Sequence, residues 1–186
     1  MNNDDFGEKI TLAVNSESNL TVGLYTFKGE EGYNITRDEA LEKAKEILSA
    51  YSVKVSEYRV TYEIKRPNDT YYFRMNRYVN GIETNEVATI SINFDGTLSS
   101  FGTVCNGAFD GVDISGIDME AVNAVIKEKA DKIYEGYTYE ITGKEVTLMR
   151  KADGSFALDF DIDTKVSGKE LEAITKDRMT LFITFE

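Results

Sequence analysis

The sequence predicts an α+β protein built from two units, each a helix packed on an antiparallel sheet. Three observations carry that reading. Asn80-Gly81 and Asp95-Gly96 separate runs rich in β-branched and aromatic residues. This is the pattern of tight hairpins, whose type I′ turns need positive φ at both central positions. Thr36-Arg37-Asp38-Glu39 forms a capping box ahead of apolar residues at helical spacing. Finally, the order of one helix followed by strands occurs twice, with helix starts about 80 residues apart, as a duplication of architecture.

Residues 1–7 read as a polar tail. Ile10, Leu12 and Val14 alternate with Thr11 and Ala13, and Leu20, Val22 and Leu24 repeat the alternation, so an N-terminal hairpin is expected. Residues 28–34 hold two glycines among polar side chains and read as a loop. The first helix then runs from Thr36 to Tyr51, with Ala40, Leu41, Ala44, Ile47, Leu48 and Tyr51 on one face. Strands are expected at 53–64, 71–79, 82–94 and 97–104, the first two separated by a turn at Pro67-Asn68-Asp69. Ala88, Ile90, Ile92 and Phe94 share one face and should meet the helix. Leu41, Ile47, Leu48, Ile90 and Ile92 are therefore expected in one core.

Residues 106–116 carry Gly107, Gly111 and Gly116 without regular period and read as a linker. Asp118 caps a second helix, over 118–134, with an apolar stripe of Met119, Val122, Val125, Ile126, Ala130 and Ile133. Strands follow at 137–150, 156–162 and 179–185, with a turn at Asp153-Gly154. Val122, Val125, Ile126, Phe160 and Leu181 should form the second core. The organisation predicted is a tail and hairpin over 1–33, one unit over 34–105 and another over 114–186. The second unit ends after three strands, which makes the N-terminal hairpin the candidate to complete its sheet.

Composition narrows the function. With 33 acidic and 21 basic residues the chain carries a net charge of −12, which repels phosphate backbones and anionic membrane surfaces. No basic cluster stands out along the sequence, so nucleic-acid binding is not expected. No apolar run reaches the roughly 20 residues of a membrane-spanning helix. The acidic start, Met1-Asn2-Asn3-Asp4-Asp5, is neither a signal nor a transit peptide. Two settings fit it: the cytosol, or a chain whose signal segment has been removed, Met1 then not being native. The single cysteine, Cys105, excludes an internal disulfide framework.

Catalytic chemistry is poorly provided for. The chain has no histidine, which removes Ser-His and Cys-His nucleophile systems, His-based zinc sites and the commonest general base. Cys105 lies near Gly102 and Gly107 with no such activator and reads as a half-buried structural thiol. Gly143-Lys144 and Gly168-Lys169 lack the upstream glycine of a phosphate loop, and Glu145 and Glu170 stand where Ser or Thr is needed. Asp159, Asp161, Asp163 and Glu170 match part of a calcium-loop pattern. Thr164, however, occupies the position of the sharp-turn glycine, and Phe156, Leu158, Phe160 and Ile162 alternate as in a strand. The aspartates therefore read as the wet face of that strand, and neither a metal nor any other cofactor is expected. Paired carboxylates can run glycoside hydrolysis, but no pair stands apart from the other acidic residues.

The more informative feature is an aromatic band of Tyr58, Tyr62, Tyr71, Tyr72 and Tyr78. Tyr72, Arg74, Asn76 and Tyr78 alternate with Tyr71, Phe73 and Met75, so if the second set faces the helix the first lies on the outer face of the sheet. Tyr and Arg are favoured in protein-recognition patches, which makes Tyr72, Arg74 and Tyr78 the candidate binding residues. They should be substantially exposed. The competing reading is ordinary cross-strand pairing that covers the sheet.

Thr36-Arg37-Asp38-Glu39-Ala40-Leu41-Glu42-Lys43-Ala44, Tyr72-Phe73-Arg74, Tyr78-Val79-Asn80-Gly81-Ile82 and Asn93-Phe94-Asp95-Gly96-Thr97-Leu98 together resemble a PepSY-type domain. Such domains occur in the propeptides of thermolysin-like metallopeptidases and, repeated, in extracytoplasmic proteins of Gram-positive bacteria. The resemblance covers roughly 34–104, and 114–186 by architecture. It implies a cystatin-like fold, a helix across a curled antiparallel sheet, in each unit. It also implies a secreted, lipoprotein-like or otherwise envelope-attached module that binds or restrains a peptidase or another protein partner there, and it brings no catalytic residues. The expectation is thus a non-catalytic protein-binding module. The alternative is a small-ligand or polysaccharide-binding module that uses the tyrosine-rich sheet face.

Overall fold

A computed structural model describes residues 9–15, 20–26, 34–66, 70–168 and 175–185. The fold is α+β, with two helices among antiparallel strand pairs. The chain divides into two compact units, one of residues 1–78 and 84–111, the other of residues 79–83 and 112–186.

The first unit holds strands β1 (Lys9–Asn15) and β2 (Leu20–Thr26), helix α1 (Arg37–Ala50), a short 3₁₀ turn (Val55–Glu57), and strands β3 (Tyr58–Arg66), β4 (Thr70–Val79), β5 (Ile82–Asn93) and β6 (Leu98–Val104). Its strands pair in the order β1-β2-β6-β5-β4-β3. The capping box forms as the sequence predicts: Glu39 N–H donates to the Thr36 hydroxyl and the Thr36 N–H to the Glu39 carboxylate. Ala40, Ala44 and Leu48 of α1 are buried against Phe73, Met75, Ala88, Ile90, Ile92 and Phe101, with Leu41 and Ile47 packed at the margin. The small Ala40 and Ala44 let the helix approach the sheet closely, and the large residues come mainly from the strands.

Four expectations are corrected here. The strand expected from Val53 begins only at Tyr58, because Val55–Glu57 closes a 3₁₀ turn after the helix. The Asn80-Gly81 turn has positive φ at both residues, as type I′ demands, but at Asp95-Gly96 only Gly96 does. Gly96 N–H donates to the Asn93 carbonyl and Asn93 N–H to that of Thr97, so this hairpin has a type I turn followed by a left-handed glycine. Asp95 accepts from both the N–H and the hydroxyl of Thr97, which fixes it as a turn residue. The N-terminal hairpin does not complete the second unit: β2 pairs antiparallel with β6, Thr21 to Leu24 against Thr103 to Ser100. The edge of β6 that β5 leaves open accounts for this. Nor is all of 106–116 a linker, since Ala108 and Phe109 are buried and residues up to Gly111 belong to the first unit.

The second unit holds helix α2 (Met119–Ile133) and strands β7 (Thr138–Arg150), β8 (Phe156–Ser167) and β9 (Thr175–Phe185), with β8 between the other two. Asp118 caps α2 by accepting from the N–H groups of Glu120 and Ala121. The buried stripe is narrower than expected: Val122, Ile126, Ala130 and the capping Tyr134, each four residues on from the last. Val125 and Ile133 are 40% and 56% exposed, so both leave the expected stripe and Val125 leaves the predicted core. Leu158, Phe160, Ile162, Thr164 and Val166 face inward from β8, with Met179 of β9 also buried and Leu181 half-buried. The Tyr134 hydroxyl lies 2.8 Å from that of Thr164 and donates to Asp177 at 3.1 Å, tying the end of α2 to β8 and β9. Gly143-Lys144, dismissed above as a phosphate loop, lies within β7 beside a bulge. Gly168 passes so near the Tyr137 ring that a Cβ there would stand 2.7 Å from it.

Candidate functional site

Two groups of residues in the first unit stand out, one on each face of β3 and β4. Between them lies a β-bulge at Thr61: Val60 pairs with Met75 but Tyr62 pairs with Arg74. The bulge inverts the strand's parity. Tyr58 and Val60 consequently face the helix, while Tyr62 faces outward, although all are even-numbered. The aromatic band of the sequence is thus two sets. Tyr58 and Tyr71 pack against the core, and Tyr62, Tyr72 and Tyr78 share the outer face with Arg74.

On the outer face Arg74 is exposed, while Tyr72 and Tyr78 are half-buried, less open than expected. The reason is geometric. The Arg66 guanidinium lies 4.4 Å from the Tyr72 ring centroid and that of Arg59 4.3 Å from Tyr78, each covering one ring face. Tyr62, 53% exposed, meets Tyr72 edge-on at 6.2 Å. The Arg74 Nε donates to the side-chain oxygen of Asn76, which is buried on this same face. Tyr72, Arg74 and Tyr78 are therefore brought onto one face, with Arg59 and Arg66 joining them.

The other group was not foreseen. Arg77 continues the inward parity of Phe73 and Met75, and Glu86 that of Ala88 and Ile90; both are almost fully buried, at 3% and 1% exposure. Arg77 Nη1 donates to Glu86 at 3.0 Å and lies 2.8 Å from Asp110, while its Nε donates to Glu57 at 2.7 Å. Glu86 also accepts from the Tyr58 hydroxyl at 2.6 Å and from the N–H groups of Gly107 at 2.8 Å and Phe109 at 3.4 Å. Residues 105–110 thus fold over the carboxylate, with Cys105 in the left-handed region as the turn begins. Burial alone works against the Arg77 charge, but the bonds to Glu86, Asp110 and Glu57 more than restore it, leaving its pKa above the ordinary value. Asp110 is held below the usual carboxylate range, first by Lys54 and then by Arg77. The signal for this network was one charge of each sign at inward parity on neighbouring strands.

Burial, and then the bond to Glu86, push the Tyr58 phenol above its ordinary pKa of 10.0. Because the folded-state value is raised, the associated stability is complete below the ordinary value of 10.0 and is lost progressively as pH rises above it toward the folded-state value. Tyr58→Phe should cost about 1.5–3 kcal/mol near neutrality, the range for a hydrogen bond to a charged group. It should also flatten the alkaline fall of the urea midpoint relative to wild type between about pH 9 and 11. Parallel curves across that interval would show that the phenol is not held by Glu86.

Asp159, Asp161 and Asp163 lie on one face of β8, opposite Phe160 and Ile162, as the alternation predicts. Asp161 accepts from the Thr180 hydroxyl and Asp163 from Arg178. Burial and the Asp161 charge raise the pKa of Asp159. Glu170 lies outside the described residues, and among those described no three such side chains are gathered as metal ligands.

Concavities are present among the described residues of the first unit. A groove of about 690 Å³ runs beside α1, lined by Asp38, Glu39, Glu42 and Glu46 with Asp95 and Gly96. A smaller one of about 270 Å³ touches Tyr71 and Tyr72 together with Arg37 and Glu63. It falls below the roughly 300 Å³ at which small-molecule pockets begin.

The chain is similar in structure to the Bacillus megaterium YpeB C-terminal domain, with a TM-score of 0.43 and 12% identity, over 94% of this chain and 91% of that one. No protein-family model and no curated protein matches it.

Proposed function

We propose that this chain is a non-catalytic protein-binding module made of two cystatin-like, PepSY-type units. On this reading it works outside the cytoplasm at the cell envelope, where it binds or restrains a peptidase or another protein. The contact surface is the outer face of β3 and β4. The observation that carries the reading is the joining of Tyr62, Tyr72 and Tyr78 with Arg59, Arg66 and Arg74 on one exposed sheet face. Aromatic and arginine side chains of this kind supply the anchoring residues of protein interfaces.

The small-ligand alternative is less well served. The cavity that reaches the tyrosines is small, and the larger groove, lined by acidic side chains with Lys43 and Ile35, holds no aromatic ring. A sugar would need a bare ring face to stack on, and Tyr72 and Tyr78 each have one covered by a guanidinium.

Capture from envelope extracts by wild type and by a Tyr72→Ala/Arg74→Ala/Tyr78→Ala variant tests the surface. The expected result is a specific protein retained by wild type and lost from the variant. Equal retention by both would clear this face. Turnover of a peptide or glycan, abolished by changing one carboxylate, would overturn the non-catalytic reading.

A further inference from the structure

An acidic protein would be expected to neutralise its arginines internally. Arg37, Arg77 and Arg178 are indeed ion-paired, with Glu63, Glu86 and Asp163 among their partners. Among the described residues, however, no carboxylate pairs with Arg59, Arg66 or Arg74, although the chain carries 33 acidic residues. These three are the arginines of the outer face. Arg59 and Arg66 stand at the two ends of that face on β3, seven residues apart, a span of about 23 Å at roughly 3.3 Å per residue. Arg74 lies between them, opposite Tyr62.

Their conformations suit an anion. A guanidinium stacked by its flat face on an aromatic ring keeps its N–H groups directed outward in its own plane, where they match a carboxylate bidentately. Arg59 and Arg66 lie with their guanidinium carbons 4.3 and 4.4 Å from the Tyr78 and Tyr72 ring centroids, contacts that restrain both side chains, so less freedom is lost when a carboxylate binds. The strand that bears them is also an edge: among the described strands of its unit β3 pairs with β4 alone, and its other side presents backbone N–H and C=O groups. A polysaccharide offers carboxylates but no amide row to pair with that edge. An extended peptide offers both.

Resting on the protein-binding reading above, we infer that the partner is engaged through an acidic peptide segment. It lies extended along the free edge of β3 and places its carboxylates on Arg59, Arg66 and Arg74. Backbone pairing supplies the alignment and the arginines supply the choice of acidic side chains.

The test is fluorescence anisotropy at physiological salt with a labelled peptide of alternating Glu and Thr, about eight residues long to match the span. Wild type should bind it. The same peptide with Gln for Glu, and the Arg59→Gln/Arg66→Gln/Arg74→Gln variant with the original peptide, should each bind at least about tenfold more weakly. A peptide N-methylated at alternate positions, which blocks edge pairing, should also lose at least about tenfold. Arg59, Arg66 and Arg74 are exposed and, among the described residues, have no ionic partner, so the variant should melt within a few degrees of wild type, and Arg74→Gln alone should weaken binding measurably. Failure of the Glu peptide to bind, or equal binding of the Gln peptide, overturns the inference. Equal binding of the N-methylated peptide overturns the placement along the edge. Tighter binding of an oligogalacturonate of similar length assigns the face to an anionic polysaccharide instead. If the acidic peptide fails while capture of a protein still depends on Tyr72, Arg74 and Tyr78, the partner's chemistry is wrong and the binding surface stands.

Discussion

Glu86→Ala is expected to destabilise the first unit by about 3–5 kcal/mol, the range for removing one partner of a buried ion pair. The substitution leaves the Arg77 guanidinium, 4% exposed, without the buried one of its three carboxylate partners among the described residues, because Glu57 and Asp110 are each more than 40% exposed. It also leaves the Tyr58 hydroxyl and the N–H groups of Gly107 and Phe109 without their acceptor. Urea denaturation followed by circular dichroism measures the loss; the chain has no tryptophan to report it. An Arg77→Met/Glu86→Leu pair should recover only the part due to the unpaired guanidinium, since the Tyr58 hydroxyl and the N–H groups of Gly107 and Phe109 still lack their acceptor. A single-variant loss under about 1 kcal/mol would mean that water reaches the carboxylate and the network is not sealed.

Phe160→Ala should have an effect of similar size in the second unit, about 3–5 kcal/mol, from lost burial and the cavity that remains. Phe160 is fully buried at the middle of β8, with Val146 opposite on one side and Leu181 on the other. Val125→Ala provides the comparison. It removes two methyl groups from the same unit, but Val125 is 40% exposed, so its cost should stay within about 0.5 kcal/mol. A large loss at Val125 and a small one at Phe160 would mean that α2 turns a different face to the strands.

Much of this fold was legible because it rests on local rules. Thr36 and Glu39 announced the start of α1 by chemistry that acts within one turn. Phe73 and Met75, and likewise Ala88, Ile90 and Ile92, announced their shared face through strict alternation. What was not legible depended on pairing between distant segments. The bulge at Thr61 leaves no mark in the residues themselves, yet it sends Tyr58 inward and Tyr62 outward. The partner of β2 was misread because alternation identifies a strand but says nothing of which edge will accept it. Arg77 and Glu86 were missed because each, taken singly, looks like a solvated charge. Only their common inward parity marks them as a pair. The outer-face residues Tyr72, Arg74 and Tyr78 were found by alternation, but the covering of two rings by Arg59 and Arg66 required the register of β3.

The composition of β3 also bears on solubility. An exposed strand edge invites a second copy of the same chain to continue the sheet, and such continuation has no natural end. Along this edge stand three basic residues, Arg59, Lys65 and Arg66, against one acidic residue, Glu63. Two copies laid edge to edge would bring like charges together. The strand is thereby protected from self-stacking at the crowded concentrations where unguarded edges aggregate.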